Sequence, residues 1–187
     1  MPITEQKKIL RKKMLLKRAK LVKPAKKKYD EWICNSLWNS IKKHNFKKVH
    51  CYLPMGTEID IKPLINKMLQ AKITVVTPKT LPKRRLQNLV LSSLNDLEKG
   101  VFGTSYPANA TAFIGTYDLI IVPGLAFNRS NYRLGYGGGY YDNFMAQHPT
   151  SKKIGICYPF QIIEEIPLEL HDLKIDDVLV NLEFLEL

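Results

Sequence analysis

The sequence lacks a hydrophobic run of about 20 residues, which is the length that a membrane-spanning helix requires. It also lacks an apolar segment behind the first methionine, so we expect no secretory signal, no membrane partner and a cytoplasmic location. Cysteine is sparse, and Cys34, Cys51 and Cys157 are spaced too widely for a zinc site or a disulfide framework. We therefore predict three reduced core thiols in a single domain formed by residues 1–187.

Acidic residues are scarce where basic residues are concentrated. Residues 1–48 hold 16 of the 29 Lys and Arg residues but only 3 of the 17 Asp and Glu residues, so the formal net charge of +12 belongs to the N-terminal quarter. Helices are predicted there over about 5–22, with Thr4 as the N-cap, and over about 25–44. This basic helical segment, residues 1–45, is expected to pack on the domain. Its charge is compatible with a nucleic-acid arm, a solvated helical face or a collar around an anionic ligand.

Short apolar runs alternate with helical patterns along the rest of the chain, which predicts a mostly parallel sheet with right-handed crossovers. Strands are predicted at 48–53, 73–77, 86–91, 118–122, 153–158 and 178–181, and a further helix at 61–71. The ligand crevice of such a sheet lies at the carboxyl ends of its strands. Polar residues that directly follow a strand are therefore candidate site residues.

Glycine is concentrated after the strand predicted at 118–122. A polar loop leads through Arg133 into Gly135-Tyr-Gly-Gly-Gly139, and helical patterning resumes at Tyr140-Tyr-Asp142. A loop without Cβ atoms can bring backbone N–H groups close to an anion, and Arg133 can donate to phosphate oxygens. Asp142 is placed to hold Mg²⁺ beside such phosphates. The loop matches neither the Walker A pattern nor GxGxxG, so a flexible turn with a capping aspartate is the alternative.

Three stretches together resemble the 5-formyltetrahydrofolate cyclo-ligase family, also called 5,10-methenyltetrahydrofolate synthetases. Pro123-Gly-Leu-Ala-Phe127 with Arg133-Leu-Gly-Tyr-Gly-Gly-Gly-Tyr-Tyr-Asp142 is similar to its long signature. Lys7-Lys-Ile-Leu-Arg11 resembles its N-terminal Lys-x-x-Leu-Arg pattern, and 166–176 resembles its closing Pro-x-Glu-x-His-Asp-x-x-x-Asp pattern. The resemblance implies an α/β fold, a three-layer α/β/α sandwich with a mostly parallel sheet, of the sugar-phosphate isomerase and CoA transferase type.

The resemblance also implies an activity and a set of site residues. The implied reaction is the ATP-dependent conversion of 5-formyltetrahydrofolate to 5,10-methenyltetrahydrofolate, with phosphorylation of the formyl oxygen, ring closure by N10 and release of ADP and phosphate. Arg133 and Tyr140 are the implied catalytic residues, and Asp142 and Asp176 the implied ligands of Mg²⁺. The implied ATP-binding residues are Lys7, Arg11, Arg133, Leu134, Gly135, Tyr136, Gly137, Gly138, Gly139, Tyr140 and Tyr141. The implied folate-binding residues are Leu53, Glu58, Tyr106, Tyr136 and Tyr140.

Two positions depart from the family pattern, which usually has Asp in place of Asn128 and Gly in place of Asn131. Asparagine tolerates left-handed backbone better than most residues, so we expect the second change to be mild. The first alters a loop geometry or a local charge. Neither departure touches a candidate site residue.

The individual residues retain simpler interpretations. Lys7 and Arg11 lie four apart on one helical face and are also explained as solvated cations. Three interpretations stay open for the basic turn formed by Lys79, Lys83, Arg84 and Arg85. It faces the glutamate tail of the substrate, it faces a phosphate, or it is a solvated loop.

Two alternatives from other functional classes stay open for the whole chain. One is a nucleic-acid-binding protein that uses the basic N-terminal helices. The other is a non-catalytic relative that binds folate or nucleotide. We expect a monomer with small-molecule substrates and without a nucleic-acid partner.

Overall fold

The computed structural model describes residues 1–184. It contains the helices α1 (Ile3–Ala19), α2 (Lys23–Lys43), α3 (Lys62–Gln70) and α4 (Tyr140–Ala146). The strands are β1 (Lys48–His50), β2 (Thr74–Leu81), β3 (Arg85–Leu91), β4 (Leu97–Lys99), β5 (Ser105–Pro107), β6 (Leu119–Val122), β7 (Ala126–Phe127), β8 (Arg133–Leu134), β9 (Lys152–Ile156) and β10 (Asp177–Leu179). Short 3-10 turns cover Val101–Gly103 and Pro159–Gln161.

Six strands form the main sheet in the order β10-β9-β6-β1-β2-β3. All neighbouring pairs are parallel except β2 and β3, which form an antiparallel hairpin. Val49 of β1 lies opposite both Val75 of β2 and Leu119 of β6, so the three central strands are aligned. Their carboxyl ends therefore open on the same edge of the sheet.

Both faces of the sheet are covered by helices. Val49 and Val75 pack in one core cluster with apolar side chains of α2 and α3, such as Ile33. The neighbouring Val76 points to the opposite face, where its cluster includes Phe144 of α4. This alternation follows from the two-residue period of a strand. The predicted fold class, an α/β protein with a mostly parallel sheet, is confirmed.

Helix α1 lies beside the loops at the edge of the sheet. Its side chains Leu10 and Met14 pack against Leu134 and Ile166 in a third core cluster. The predicted N-cap is wrong, because α1 begins at Ile3 and no side chain caps its first turn. This packing holds α1 at the carboxyl edge of the sheet, where its side chains Lys7 and Arg11 lie.

Several boundaries differ from the sequence pattern for physical reasons. The strand predicted at 48–53 ends at His50, and Cys51, Tyr52 and Leu53 are buried but lie outside it. Strand β2 runs on to Leu81 because it pairs with β3, and β4 and β5 form a hairpin where the sequence predicts no strand. All three cysteines are buried and free. Within residues 1–184, no helix is both long and apolar enough to cross a bilayer.

Candidate functional site

A cavity of about 770 Å³ opens at the carboxyl edge of the sheet. Its walls come from the ends of β1 and β2, the loop after β6, helix α1 and residues 169–172. Its volume is within the range of small-molecule sites. All of the predicted site residues except Tyr106 and Asp176 line it: Lys7, Arg11, Leu53, Glu58, Arg133, Leu134, Gly135, Tyr136, Gly137, Gly138, Gly139, Tyr140, Tyr141 and Asp142.

The glycine loop lets guanidinium groups lie directly against its backbone. A Cβ atom on Gly135 would lie 2.9 Å from Nη1 of Arg133, and one on Gly137 would lie 3.1 Å from Cζ of Arg11. Arg11 also donates from Nε to the carbonyl oxygen of Gly135 over 2.9 Å. Gly137 has φ +101°, a backbone conformation that residues other than glycine rarely adopt. Two cations beside bare backbone form a cradle suited to an anion.

Arg133 is the more deeply held of these two cations. Its side chain is 3% exposed, and it donates from Nη2 to Oδ1 of Asp142 over 2.9 Å and from Nη1 to the carbonyl oxygen of Pro123 over 3.3 Å. Asp142, in the first turn of α4, partly balances the charge of the guanidinium. The antiparallel pair of β7 and β8 places Arg133 at this point. Arg133 and Asp142 thus form an ion pair on the cavity wall.

Glu58 lies at the end of a hydrogen-bond chain that begins on α1. Arg18 donates from Nη2 to the Tyr136 hydroxyl over 2.8 Å, and that hydroxyl donates to Oε1 of Glu58 over 2.5 Å. The other carboxylate oxygen of Glu58 accepts from the backbone N–H of Met55 over 2.9 Å. Burial and the negative charge of Glu58 raise the pKa of Tyr136, so its phenol is protonated at neutral pH.

Lys7 lies among carboxylates from the C-terminal part of the chain. Its Nζ is 2.7 Å from Oε2 of Glu169 and 2.6 Å from Oδ2 of Asp172. The hydrogen bond from Lys7 lowers the pKa of Glu169. Ligand atoms of Glu169, His171 and Asp172 lie within 4.8 Å of one another. Carboxylate oxygens are the ligands that Mg²⁺ prefers, and Asp142 lines the same cavity.

The structure does not bring Asp176 to Asp142, which corrects the predicted pair of metal ligands. Asp176 is exposed, and its carboxylate accepts from the backbone N–H of Lys153, at the start of β9, over 2.6 Å. It therefore lies at the amino edge of the sheet, away from the cavity. The carboxylates that this C-terminal segment contributes to the cavity are those of Glu169 and Asp172.

Tyr106 is also placed outside the cavity lining. Its hydroxyl donates to Glu98 over 2.6 Å, across the hairpin of β4 and β5. Lys79 lies over its ring, 3.8 Å from the centroid. The neighbouring Ser105 does line the cavity. The predicted contact of Tyr106 with folate therefore has no support from its position.

The sequence did not identify Arg18, Glu169 or Asp172 as site residues, and it did not single out Arg84 from its basic turn. Arg18 continues the helical face of Lys7 and Arg11, and this spacing is the signal that was available. Arg84 is the one member of the basic turn that lines the cavity, and a Cβ atom on Gly139 would lie 3.4 Å from its Cδ. Nothing in the local pattern separates Arg84 from the other cations of that turn.

The two departures from the family pattern have clear geometries. The side-chain oxygen of Asn128 accepts from the backbone N–H groups of Ser130 and Tyr132 over 3.1 and 2.9 Å, which an aspartate oxygen would do equally well. Asn131 has φ +64°, the left-handed conformation that was expected of it. Both residues therefore preserve the loop that leads to Arg133.

Comparison with known proteins adds to this geometry. The model of the 5-formyltetrahydrofolate cyclo-ligase family matches residues 3–181. The 5-formyltetrahydrofolate cyclo-ligase of Mus musculus is 30% identical over 149 residues, which cover 72% of this chain and 73% of the relative. That of Haemophilus influenzae is 28% identical over 150 residues, with coverages of 76% and 80%.

Solved structures give a similar result. The NMR structure of Aquifex aeolicus 5,10-methenyltetrahydrofolate synthetase has a TM-score of 0.81 and 31% identity, covering 93% of this chain and 89% of its own. The 5,10-methenyltetrahydrofolate synthetase from Mycoplasma pneumoniae has a TM-score of 0.75 and 26% identity, with coverages of 92% and 96%.

Proposed function

Because the chain belongs to the 5-formyltetrahydrofolate cyclo-ligase family, we propose that its cavity converts 5-formyltetrahydrofolate to 5,10-methenyltetrahydrofolate with ATP as the phosphoryl donor. The protein is a ligase of folate metabolism. The observation that carries the assignment of the site is a single cavity with a glycine loop flanked by two arginines on one wall and Glu58 on another. One wall suits phosphates and the other suits the polar ring of a folate.

The chemistry requires activation of a formyl amide, whose carbon is a poor electrophile and whose oxygen is a poor leaving group. Transfer of the γ-phosphoryl group of ATP to the formyl oxygen releases ADP and solves both problems. N10 of the folate then attacks the formyl carbon, the carbon–oxygen bond breaks, and the oxygen leaves in inorganic phosphate together with the N10 proton. Phosphoryl transfer depends mainly on alignment and charge neutralisation, so no protein nucleophile is needed.

The cationic wall supplies that neutralisation. Arg133 and Arg11 lie against the glycine loop and donate to phosphate oxygens, and the bare backbone of the loop lets the phosphates approach. Tyr140 and Tyr141 follow the loop at the start of α4 and line the same cavity. Lys7 is held by two carboxylates, and we assign it to the same phosphate region because it lies one helical turn from Arg11.

Glu58 anchors the folate in this proposal. A carboxylate accepts two N–H groups of a pterin ring side by side, and Leu53 at the end of β1 offers apolar contact beside it. In the present structure the Tyr136 hydroxyl donates to one of the two carboxylate oxygens of Glu58. An ionised carboxylate has about four lone-pair sites, so Glu58 can accept from the folate while it keeps the hydrogen bond from Tyr136.

The cavity also fits Mg²⁺, because the carboxylates of Asp142, Glu169 and Asp172 line it and because ligand atoms of Glu169, His171 and Asp172 lie within 4.8 Å of one another. Asp142 and Asp172, with Glu169, are the residues that would hold the ion. When bound, Mg²⁺ would neutralise charge on the ATP phosphates. The role is assigned to Asp172 and not to Asp176, because only Asp172 lines the cavity.

A nucleic-acid-binding function has weaker support. Lys7 and Arg18 are buried, and both turn toward the domain from the inner face of α1. Part of the basic excess of the N-terminal segment therefore serves the cavity.

The proposal is tested by mixing the purified protein with 5-formyltetrahydrofolate, ATP and Mg²⁺ and following the near-ultraviolet absorbance of the methenyl product. Absorbance should grow only when all components are present. A folded protein that binds folate or ATP without turnover would identify a non-catalytic relative instead.

A further inference from the structure

We infer that Arg18 is a positioning residue for folate binding, which holds the Tyr136 hydroxyl and through it aligns the Glu58 carboxylate. The inference rests on the proposed function, in which Glu58 contacts the folate. Arg18 does not line the cavity itself, so its effect must pass through these two residues.

The surroundings of Arg18 are unusual for a charged side chain. It is 5% exposed, yet its hydrogen bonds go to two hydroxyl groups, Oγ1 of Thr57 over 2.9 Å and the Tyr136 hydroxyl over 2.8 Å. Among residues 1–184, no carboxylate forms a direct ion pair with it. A buried guanidinium needs compensation, and the carboxylate of Glu58 lies one hydroxyl away. The three side chains thus form an ion pair bridged by a phenol.

The direction of the hydrogen bonds in this chain is fixed by chemistry. Arginine can only donate, so the Tyr136 oxygen must accept from Arg18, and the hydroxyl hydrogen is then directed to Oε1 of Glu58. The other oxygen of Glu58 accepts from the backbone N–H of Met55. The hydrogen bonds from Met55 and from Tyr136, which Arg18 holds, therefore together fix the orientation of the carboxylate. In this structure Oε1 accepts from the Tyr136 hydroxyl, and the remaining lone pairs of the carboxylate are available to N–H groups of the substrate.

A consequence follows for the glycine loop, because Tyr136 belongs to it. Because Glu58 can keep the Tyr136 hydroxyl while it accepts N–H groups of the folate, Arg18 holds both the carboxylate and this part of the loop in place. Loss of Arg18 leaves both Tyr136 and Glu58 without this support. We therefore expect a weaker affinity for folate, whereas the Arg11 and Arg133 side of the cavity is unchanged.

The test compares Arg18→Met, Tyr136→Phe and the double variant, with separate Michaelis constants for 5-formyltetrahydrofolate and ATP. Arg18→Met should raise the folate KM about tenfold or more, as for a hydrogen bond to a charged group, and leave the ATP KM within about twofold. In the Tyr136→Phe background the same substitution should add less than about twofold, because the chain is already broken. Thr57→Val is the matched control, since it removes the other bond of Arg18 without touching Tyr136.

Arg18→Lys covers the case in which Arg18→Met does not fold. Lysine keeps the charge and should recover part of the folate affinity. An equal rise in both Michaelis constants, or an equal effect of Arg18→Met with and without the Tyr136 hydroxyl, would overturn the inference in favour of a purely structural role. If the wild type shows no turnover, the proposed function fails on its own, and the same variants are compared by equilibrium dialysis of 5-formyltetrahydrofolate.

Discussion

Acid should destabilise this protein through His50, a histidine that lies beneath the helix carrying part of the site. His50 is fully buried, and its ring centroid is 4.3 Å from that of Phe144 on α4. Its Nε2 lies 3.2 Å from Oδ1 of Asn88, while Nδ1 has no partner among the described residues. Burial lowers the pKa of this imidazole from 6.5 to about 3, so the folded protein holds it neutral.

The sign and size of the effect follow from this difference in pKa. The unfolded chain binds a proton on His50 below about pH 6.5, and the folded chain does not until the pH approaches 3. The stability that the neutral His50 provides is therefore fully present above the unfolded pKa and falls as the pH drops between these two values. Relative to neutral pH, the free energy of unfolding falls by about 1 kcal/mol at about pH 6 and by about 2 kcal/mol at about pH 5.

The assay is urea unfolding of the wild type and of His50→Gln at about pH 7.5 and at about pH 5. Glutamine keeps a polar group opposite Asn88 but cannot titrate, and His148, whose pKa is also lowered, titrates in both proteins. The difference in free energy of unfolding between the two proteins should shift by about 2 kcal/mol toward the variant at the lower pH. A difference that is the same at both pH values would refute the reasoning.

Three further predictions concern the cavity. Arg133→Ala should lower kcat by about 100-fold or more, as when a donor to transition-state charge is removed, with the fold retained by circular dichroism; unchanged turnover would remove its assigned role. Gly138→Ala would place a Cβ atom 2.6 Å from the ring of Tyr140, so its kcat/KM for ATP should fall by at least about tenfold, and a wild-type value would contradict this geometry. Asp172→Asn should raise the Mg²⁺ concentration needed for half-maximal rate by about tenfold, whereas Asp176→Asn should not. If a magnesium titration instead finds the larger effect for Asp176→Asn, the metal ligands are the pair predicted from the sequence, Asp142 and Asp176.

The fold was accessible from sequence wherever the signal is local. The four-residue repeat of Tyr29, Ile33 and Leu37 predicted a helix with one buried face, and these residues form part of the core. The hairpin of β2 and β3 was harder to find, because its turn uses Lys83 and Arg84 with positive φ in place of the usual glycine or asparagine. Such a turn has no composition signal.

The site residues likewise fall into those with a local sequence signal and those that only the tertiary structure identifies. The glycine loop and Arg133 lie within one stretch of the chain, and they line one cavity. The choice between Asp172 and Asp176 depends instead on the path of the chain past Lys7, which only tertiary structure reveals. The same holds for Arg18, since its partners Thr57 and Tyr136 are far from it in sequence.

The central claim, that the formyl oxygen is phosphorylated before ring closure, is tested most directly with 5-formyltetrahydrofolate labelled with ¹⁸O in the formyl group. After turnover with unlabelled ATP, mass spectrometry of the released inorganic phosphate should find one labelled oxygen per molecule of methenyl product. Label that appears in water, with unlabelled phosphate, would contradict the proposed mechanism.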